Sequence, residues 1–152
     1  MSHVATIEIE VKDLDALAEA AKACGLVLNR GQKTYRWYGR WVNDYSAADA
    51  AYRHDIKPED YGKCEHAISV PGNAKAYEIG VVRKANGSFG LVWDFFAGGH
   101  GLMEKCSIDG KAAGKLVQEY STAVAVKKAK QQGFAVQRKQ LADGRVQLQL
   151  TR

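Results

Sequence analysis

From Lys33 to Trp41 the chain reads Lys-Thr-Tyr-Arg-Trp-Tyr-Gly-Arg-Trp, interleaving four aromatic faces with two guanidinium groups. Nucleobases stack on such rings and Arg grips phosphate through parallel N–H donors, so one segment offers both halves of nucleotide recognition. The candidate ligand residues here are Tyr35, Arg36, Trp37, Tyr38, Arg40 and Trp41. A period of two gives the same letters a structural use: Tyr35, Trp37 and, past Gly39, Trp41 pack inward while Arg36 and Arg40 face solvent. Tyr38 then stands exposed between two cations, where a stacking platform would be.

Gly98-Gly99-His100-Gly101 follows Trp93-Asp94-Phe95-Phe96. Consecutive glycines can turn several N–H groups toward one anion and His100 can add a donor, so Gly98, Gly99 and His100 join the ligand set. The other use of such glycines is a mobile connection that needs φ > 0. The stretch lacks the Lys-Ser or Lys-Thr ending of a phosphate-binding loop and is not a G-x-G-x-x-G fingerprint. Cys64, His66, His100 and Cys106 are types that tetrahedral zinc accepts, but Cys64-x-His66 is tighter than the usual gap and no second pair repeats it, so no metal site is expected. Cys64, His66 and Asp60 can be arranged as nucleophile, base and orienter, yet nearness in sequence does not make side chains meet. Asp44, Asp49, Asp55, Glu59, Asp60 and Glu65 leave room for a metal-dependent hydrolase, although no spacing singles out a pair. The reading leans away from an enzyme, with no catalytic residue and no cofactor assigned.

The elements that must position these groups follow from periodicity. Val4–Val11 alternates Ile7, Ile9 and Val11 against acidic neighbours, as a half-buried strand does. Asp13 is placed as an N-cap, Leu14, Leu17, Ala18 and Ala21 fall at helical spacing, and Gly25 closes a helix over 13–24. Leu26–Asn29 is expected to return as a strand beside the first. The stretch 31–66 is irregular, with 47–53 a helical turn or two and Lys57-Pro58-Glu59-Asp60 a loop or helix start. Ala67–Val70 is a short strand ended by Pro71-Gly72-Asn73. Tyr77–Arg83 and Ser88–Phe95 flank Ala85-Asn86-Gly87, and Asn-Gly between apolar runs signals a hairpin. A loop is expected from Ala97 to Gly110. Lys111–Gln132 then carries Leu116, Val117, Tyr120, Ala123 and Val124 at helical spacing before Gly133, and Phe134–Gln140 with Arg145–Leu150 forms a second hairpin across Asp143-Gly144. The expectation is one α+β domain over 1–152: an antiparallel-rich sheet of about five to six strands with two main helices on one face.

Composition narrows the class. The chain has 152 residues, 46% apolar and 26% charged, enough to bury a core without disulfides or structural metal. Disorder, collagen and small disulfide scaffolds are excluded, and no apolar run approaches the roughly 18 residues a bilayer needs. Cys24, Cys64 and Cys106 are an odd number, which suits free thiols in a reducing compartment. The start Met-Ser-His-Val-Ala lacks a basic n-region and an h-region, so the expected location is the cytoplasm. The net charge of +5 is uneven: residues 111–152 carry nine Lys or Arg against Glu119 and Asp143 alone, while the rest is slightly acidic. Such polarity favours an anionic partner, or serves as a solvated face.

Several marks lie along the whole chain. They are Ser2-His3 before the first strand, Asp13-Leu14 opening the first helix, Tyr77-Glu78-Ile79 and Trp93-Asp94-Phe95 in the central hairpin, then Tyr120, Gly133-Phe134 and Asp143-Gly144. In these the sequence resembles the hypothetical chloroplast reading frame 35 family, a domain-of-unknown-function family. Trp37-Tyr38-Gly39-Arg40 and Gly62-Lys63-Cys64-Glu65-His66 are more similar to its bacterial and bacteriophage members. The resemblance implies a cytosolic α+β domain and transfers no reaction.

The leading functional expectation is a non-catalytic binding module for a nucleotide-like anionic small molecule, seated between the aromatic-basic segment and Gly98–His100. In a bacteriophage setting this means sequestering a signalling nucleotide, and association of copies is expected to complete the pocket. The alternative is nucleic-acid binding through Lys127, Lys128, Lys130, Arg138, Lys139 and Arg145, which predicts steep salt dependence. A protein adaptor using its aromatic surface is a further alternative. No membrane partner is expected.

Overall fold

The computed structural model describes residues 4–38, 60–108 and 113–152. Strand β1 (Val4–Val11) leads through the Asp13 cap into helix α1 (Leu14–Ala23), and β2 is Val27–Arg30. After the second described stretch begins come β3 (His66–Ser69), β4 (Ile79–Arg83) and β5 (Phe89–Asp94). A tight turn over Phe96–Gly101 leads to the short helix α2 (Leu102–Cys106). The chain ends with helix α3 (Gly114–Gln131) and the strands β6 (Ala135–Gln140) and β7 (Val146–Thr151). The architecture is α+β. No helix among the described residues is long and apolar enough to cross a membrane.

Five strands form one antiparallel sheet in the order β1-β5-β4-β3-β2, and β6 and β7 pair with each other as a second, two-stranded sheet. The central hairpin turns where expected: Lys84 and Ser88 close the loop, Gly87 sits at φ 85°, and the Asn86 side chain accepts the Ser88 N–H. β2 does not lie beside β1. It pairs with β3 at the far edge, parallel to β1, and α1 is the crossover connection between these two edge strands. The loop expected over 97–110 contains α2, whose Leu102, Met103 and Cys106 are buried. The candidate turns at 47–53 and the Lys57–Glu59 loop lie outside the described residues.

Side-chain alternation gives the sheet two differently used faces. Ile7, Val11, Ile68, Ile79, Val81, Leu91 and Trp93 join Leu17, Ala20, Leu116 and Tyr120 of α1 and α3 in the larger core. Asp13 ties that layer together: its Oδ1 accepts the Ala16 N–H at 3.0 Å as an N-cap, and Oδ2 pairs with Lys127 at 2.7 Å. The Tyr120 hydroxyl accepts the N–H groups of Lys12 and Asp13 at 3.0 and 3.3 Å, docking α3 on the β1–α1 junction.

Candidate functional site

The other face of the sheet is covered by chain from the irregular region. Tyr35, Trp37, Tyr61 and Cys64 pack on Ala67 and Val92 as a smaller core, with the Trp37 and Tyr61 rings edge-on at 5.5 Å. The two strips are stitched by N–H donation from Tyr35 to the Gly62 carbonyl at 3.0 Å and from Cys64 to the Lys33 carbonyl at 2.9 Å. Gly80 makes room for this layer, since a Cβ there would lie 2.5 Å from Tyr35 Cδ1 and 2.9 Å from Val92 Cγ2. The Tyr35 ring therefore rests on the bare backbone of β4. Its hydroxyl is buried and unpaired among the described residues, and burial pushes its ionisation well above the ordinary phenol range.

Inward Tyr35 and Trp37 leave Arg36 and Tyr38 pointing outward, as the period of two requires. Two buried carboxylates hold this outward pair in place. Glu78 Oε1 accepts the Arg36 N–H at 2.8 Å, the Glu78 N–H returns a bond to the Arg36 carbonyl at 2.9 Å, and Arg36 Nη1 donates to the Ala76 carbonyl at 2.7 Å. Asp94 Oδ2 accepts the Tyr38 N–H and Oδ1 accepts the Phe96 N–H, both at 2.9 Å. Tyr38 is 48% exposed and lies edge-on to Phe96 at 5.3 Å. Phe96 neighbours His100 at 6.4 Å, and His100 meets Tyr77 edge-on at 4.8 Å. Four rings thus run in a chain from Tyr38 to Tyr77, whose backbone neighbour Ala76 anchors the Arg36 guanidinium. Arg36 has no carboxylate ion-pair partner among the described residues.

The turn that carries Phe96 and His100 is left-handed. Ala97, Gly98, Gly99 and His100 have φ of 51°, 66°, 65° and 52°. Two of these are not glycine, and L residues held there cost roughly 1–3 kcal/mol each unless their surroundings fix them. The fixing bonds are visible: Tyr77 N–H donates to the Gly99 carbonyl at 2.9 Å, and Gly98 N–H to the Phe95 carbonyl at 3.0 Å. The Gly98 N–H is therefore spent within the turn, and what the turn offers outward is the exposed His100 imidazole.

Of the residues singled out in the sequence, the fold brings Arg36, Tyr38 and His100 into one ring-lined surface. Tyr35 and Trp37 are not available for stacking, because the sheet buries them, and Gly99 is buried too. Arg40 and Trp41 lie outside the described residues. Phe96, Tyr77 and the carboxylates Glu78 and Asp94 were not expected at the site. The available signal was an acidic residue standing inside each apolar strand of the central hairpin.

The remaining candidates are dispersed. Cys64 belongs to the smaller core and donates to the Gln32 carbonyl at 3.2 Å, whereas His66 leans on Phe89, a residue of the larger core, so the two do not form a nucleophile and base. Burial pushes the Cys24 thiol up to about 11 and those of Cys64 and Cys106 up to about 12, leaving them protonated near neutrality. No three potential metal ligands are gathered among the described residues. Of the six cations proposed for polynucleotide, Lys127 pairs with Asp13, Arg145 with Asp143, and Arg138 grips Glu119 through two bonds of 2.6 and 2.7 Å. Lys128, Lys130 and Lys139 make no ion pair among the described residues.

A sequence model for a family described as a protein of unknown function, DUF1257, matches residues 49–149. The chain belongs to the DUF1257 family. The matched stretch contains Tyr77, Glu78, Asp94 and the left-handed turn, whereas Arg36 and Tyr38 come from the preceding part of the chain. In this DUF1257 protein, family-covered carboxylates thus anchor side chains supplied from outside the matched region. Neither the curated proteins nor the solved structures yielded a match.

Proposed function

We propose that this DUF1257 protein is a non-catalytic binding module for a nucleotide-like anionic small molecule, seated on the Tyr38–Phe96–His100 surface. The observation that carries the reading is Tyr38: an exposed ring on a backbone fixed by a buried carboxylate, two residues on from Arg36, whose guanidinium has no carboxylate partner among the described residues. A base stacks on Tyr38 against the Phe96 edge, Arg36 takes the phosphate, and His100 donates from the turn. The strain held in Ala97 and His100 supports the same reading, since such backbone is kept where a side chain must be presented in one fixed direction.

The cytoplasm is the compartment in which buried free thiols and such a ligand coexist. The likeness of Trp37–Arg40 and Gly62–His66 to bacterial and bacteriophage sequences makes a sequestered signalling nucleotide the ligand of choice. The test is calorimetric titration of the full chain with adenosine and guanosine monophosphates and triphosphates, beside native mass spectrometry of protein purified from its host. Binding by wild type that falls about tenfold or more in Tyr38→Ala and in Arg36→Ala, with Lys139→Ala unchanged, is the expected result. No binding and no retained mass, or variants that bind as wild type does, would overturn it.

A further inference from the structure

On the far side of the sheet from Tyr35 and Trp37, α1 and α3 enclose a groove of about 340 Å³. Its α1 wall carries Asp15 and Glu19, its α3 wall Lys127 and Lys130, and Ala16 and Val126 supply apolar lining. Asp15 and Lys127 are already engaged, with Arg30 at 2.6 Å and Asp13 at 2.7 Å. Glu19 and Lys130 form no ion pair among the described residues, although they line the same groove. On the α3 side Ala123 and Val126 line the groove, and both are only partly covered. Apolar side chains left half covered in an open groove gain from a partner that removes the rest of their water.

We propose that this groove is a homodimer interface, in which a second copy packs its α1–α3 face across a two-fold axis. Self-association follows from the charge layout. One rim is acidic and the other basic, so a partner of either single sign meets repulsion on one side, whereas a two-fold copy sets Glu19 of each chain against Lys130 of the other. Ala123 and Val126 then lose their remaining water against the partner's counterparts, which supplies the non-directional part of the attraction. The eighteen residues of α3 extend about 27 Å, long enough for an interface of ordinary size. This inference does not depend on the ligand reading, because it uses the opposite side of the sheet.

Sedimentation velocity of the full chain tests it with two charge reversals at exposed positions. Glu19→Lys alone and Lys130→Glu alone are each expected to weaken dimerisation by about tenfold, since each turns two attractions into two repulsions. Mixing the two variants, or combining both changes in one chain, restores opposite charges at both contacts and is expected to return the dimer. Three results would overturn the proposal: a monomeric wild type, single variants that dimerise as wild type does, or reversals that fail to rescue one another. Circular dichroism of each variant checks that the helices persist, so that a loss of dimer is read as a loss of the interface.

Discussion

Asp94 is fully buried at the end of β5, and its two carboxylate oxygens each accept a backbone N–H at 2.9 Å, one from Tyr38 and one from Phe96. A single side chain therefore sets the distance between the two rings of the candidate site. Asp94→Asn keeps the shape but turns one acceptor into a donor that faces an N–H. The expected cost is about 1–3 kcal/mol, the usual consequence of an unsatisfied buried group, together with weaker nucleotide binding than a Tyr38-intact surface should show. Urea denaturation and calorimetric titration of the same variant check the two effects. Unchanged stability together with unchanged affinity would remove Asp94 as the clamp.

Gly80 and Tyr35 give a second, independent test of the layer beneath the site. A Cβ at position 80 would stand 2.5 Å from the Tyr35 ring, in β4 at a position where φ imposes no need for glycine. Gly80→Ala is expected to destabilise by about 1–3 kcal/mol through overpacking. Tyr35→Ala alone leaves a cavity and costs more, roughly 3–5 kcal/mol. Combined, the two should cost clearly less than their sum, because the added methyl enters space the ring has left. Strict additivity in urea melts would mean that the ring does not rest on Gly80.

How far the sequence revealed this arrangement depended on the range of the interactions. Alternation through Tyr35, Arg36, Trp37 and Tyr38 was legible because period two is local, and it correctly left Tyr38 outside. The Asn86-Gly87 turn and the Asp13 cap were legible for the same reason. The place of β2 was not, since Leu26–Asn29 records only that a strand follows α1, while its partner Ile68 lies 40 residues on from Leu28. Nor could letters show that Ala97 and His100 take positive φ. That conformation is imposed by distant bonds such as Tyr77 N–H to the Gly99 carbonyl. Glu78 and Asp94 stood out only as acidic interruptions of apolar strands, and their meaning required knowing what crosses above them.

The basic C-terminal segment makes its own quantitative prediction. Lys127, Arg138 and Arg145 already hold carboxylates, which leaves Lys128, Lys130 and Lys139 of the six cations without ion pairs among the described residues. Six phosphate contacts would give a log–log salt slope near −5 on duplex DNA, whereas three give a slope no steeper than about −3. Fluorescence anisotropy with a labelled duplex over a salt series is expected to show weak binding of the shallower kind. A slope near −5 would mean that the internal pairs open for phosphate and would favour polynucleotide as the partner.

The pH dependence of stability should reveal His66. Its Nδ1 accepts the Gly31 N–H at 2.9 Å, which requires a neutral ring with the proton on Nε2. Burial, then the nearby Lys33, hold its pKa below the ordinary 6.5, with Arg30 and Arg83 acting the same way and Glu65 opposing. A histidine whose folded pKa is depressed is protonated first in the unfolded chain. Its contribution is therefore complete above about pH 6.5 and is lost progressively as pH falls from there through the folded pKa. Glu65, Glu10, Asp13 and Glu119 are held below their ordinary values by hydrogen bonds and nearby cations, so their losses begin only at lower pH, below about 5. Between about pH 7.5 and 5.5 the urea midpoint of wild type is expected to fall, while that of His66→Asn, which keeps an acceptor near Gly31 and cannot titrate, stays nearly level. Equal slopes for the two proteins would show that another group governs this window.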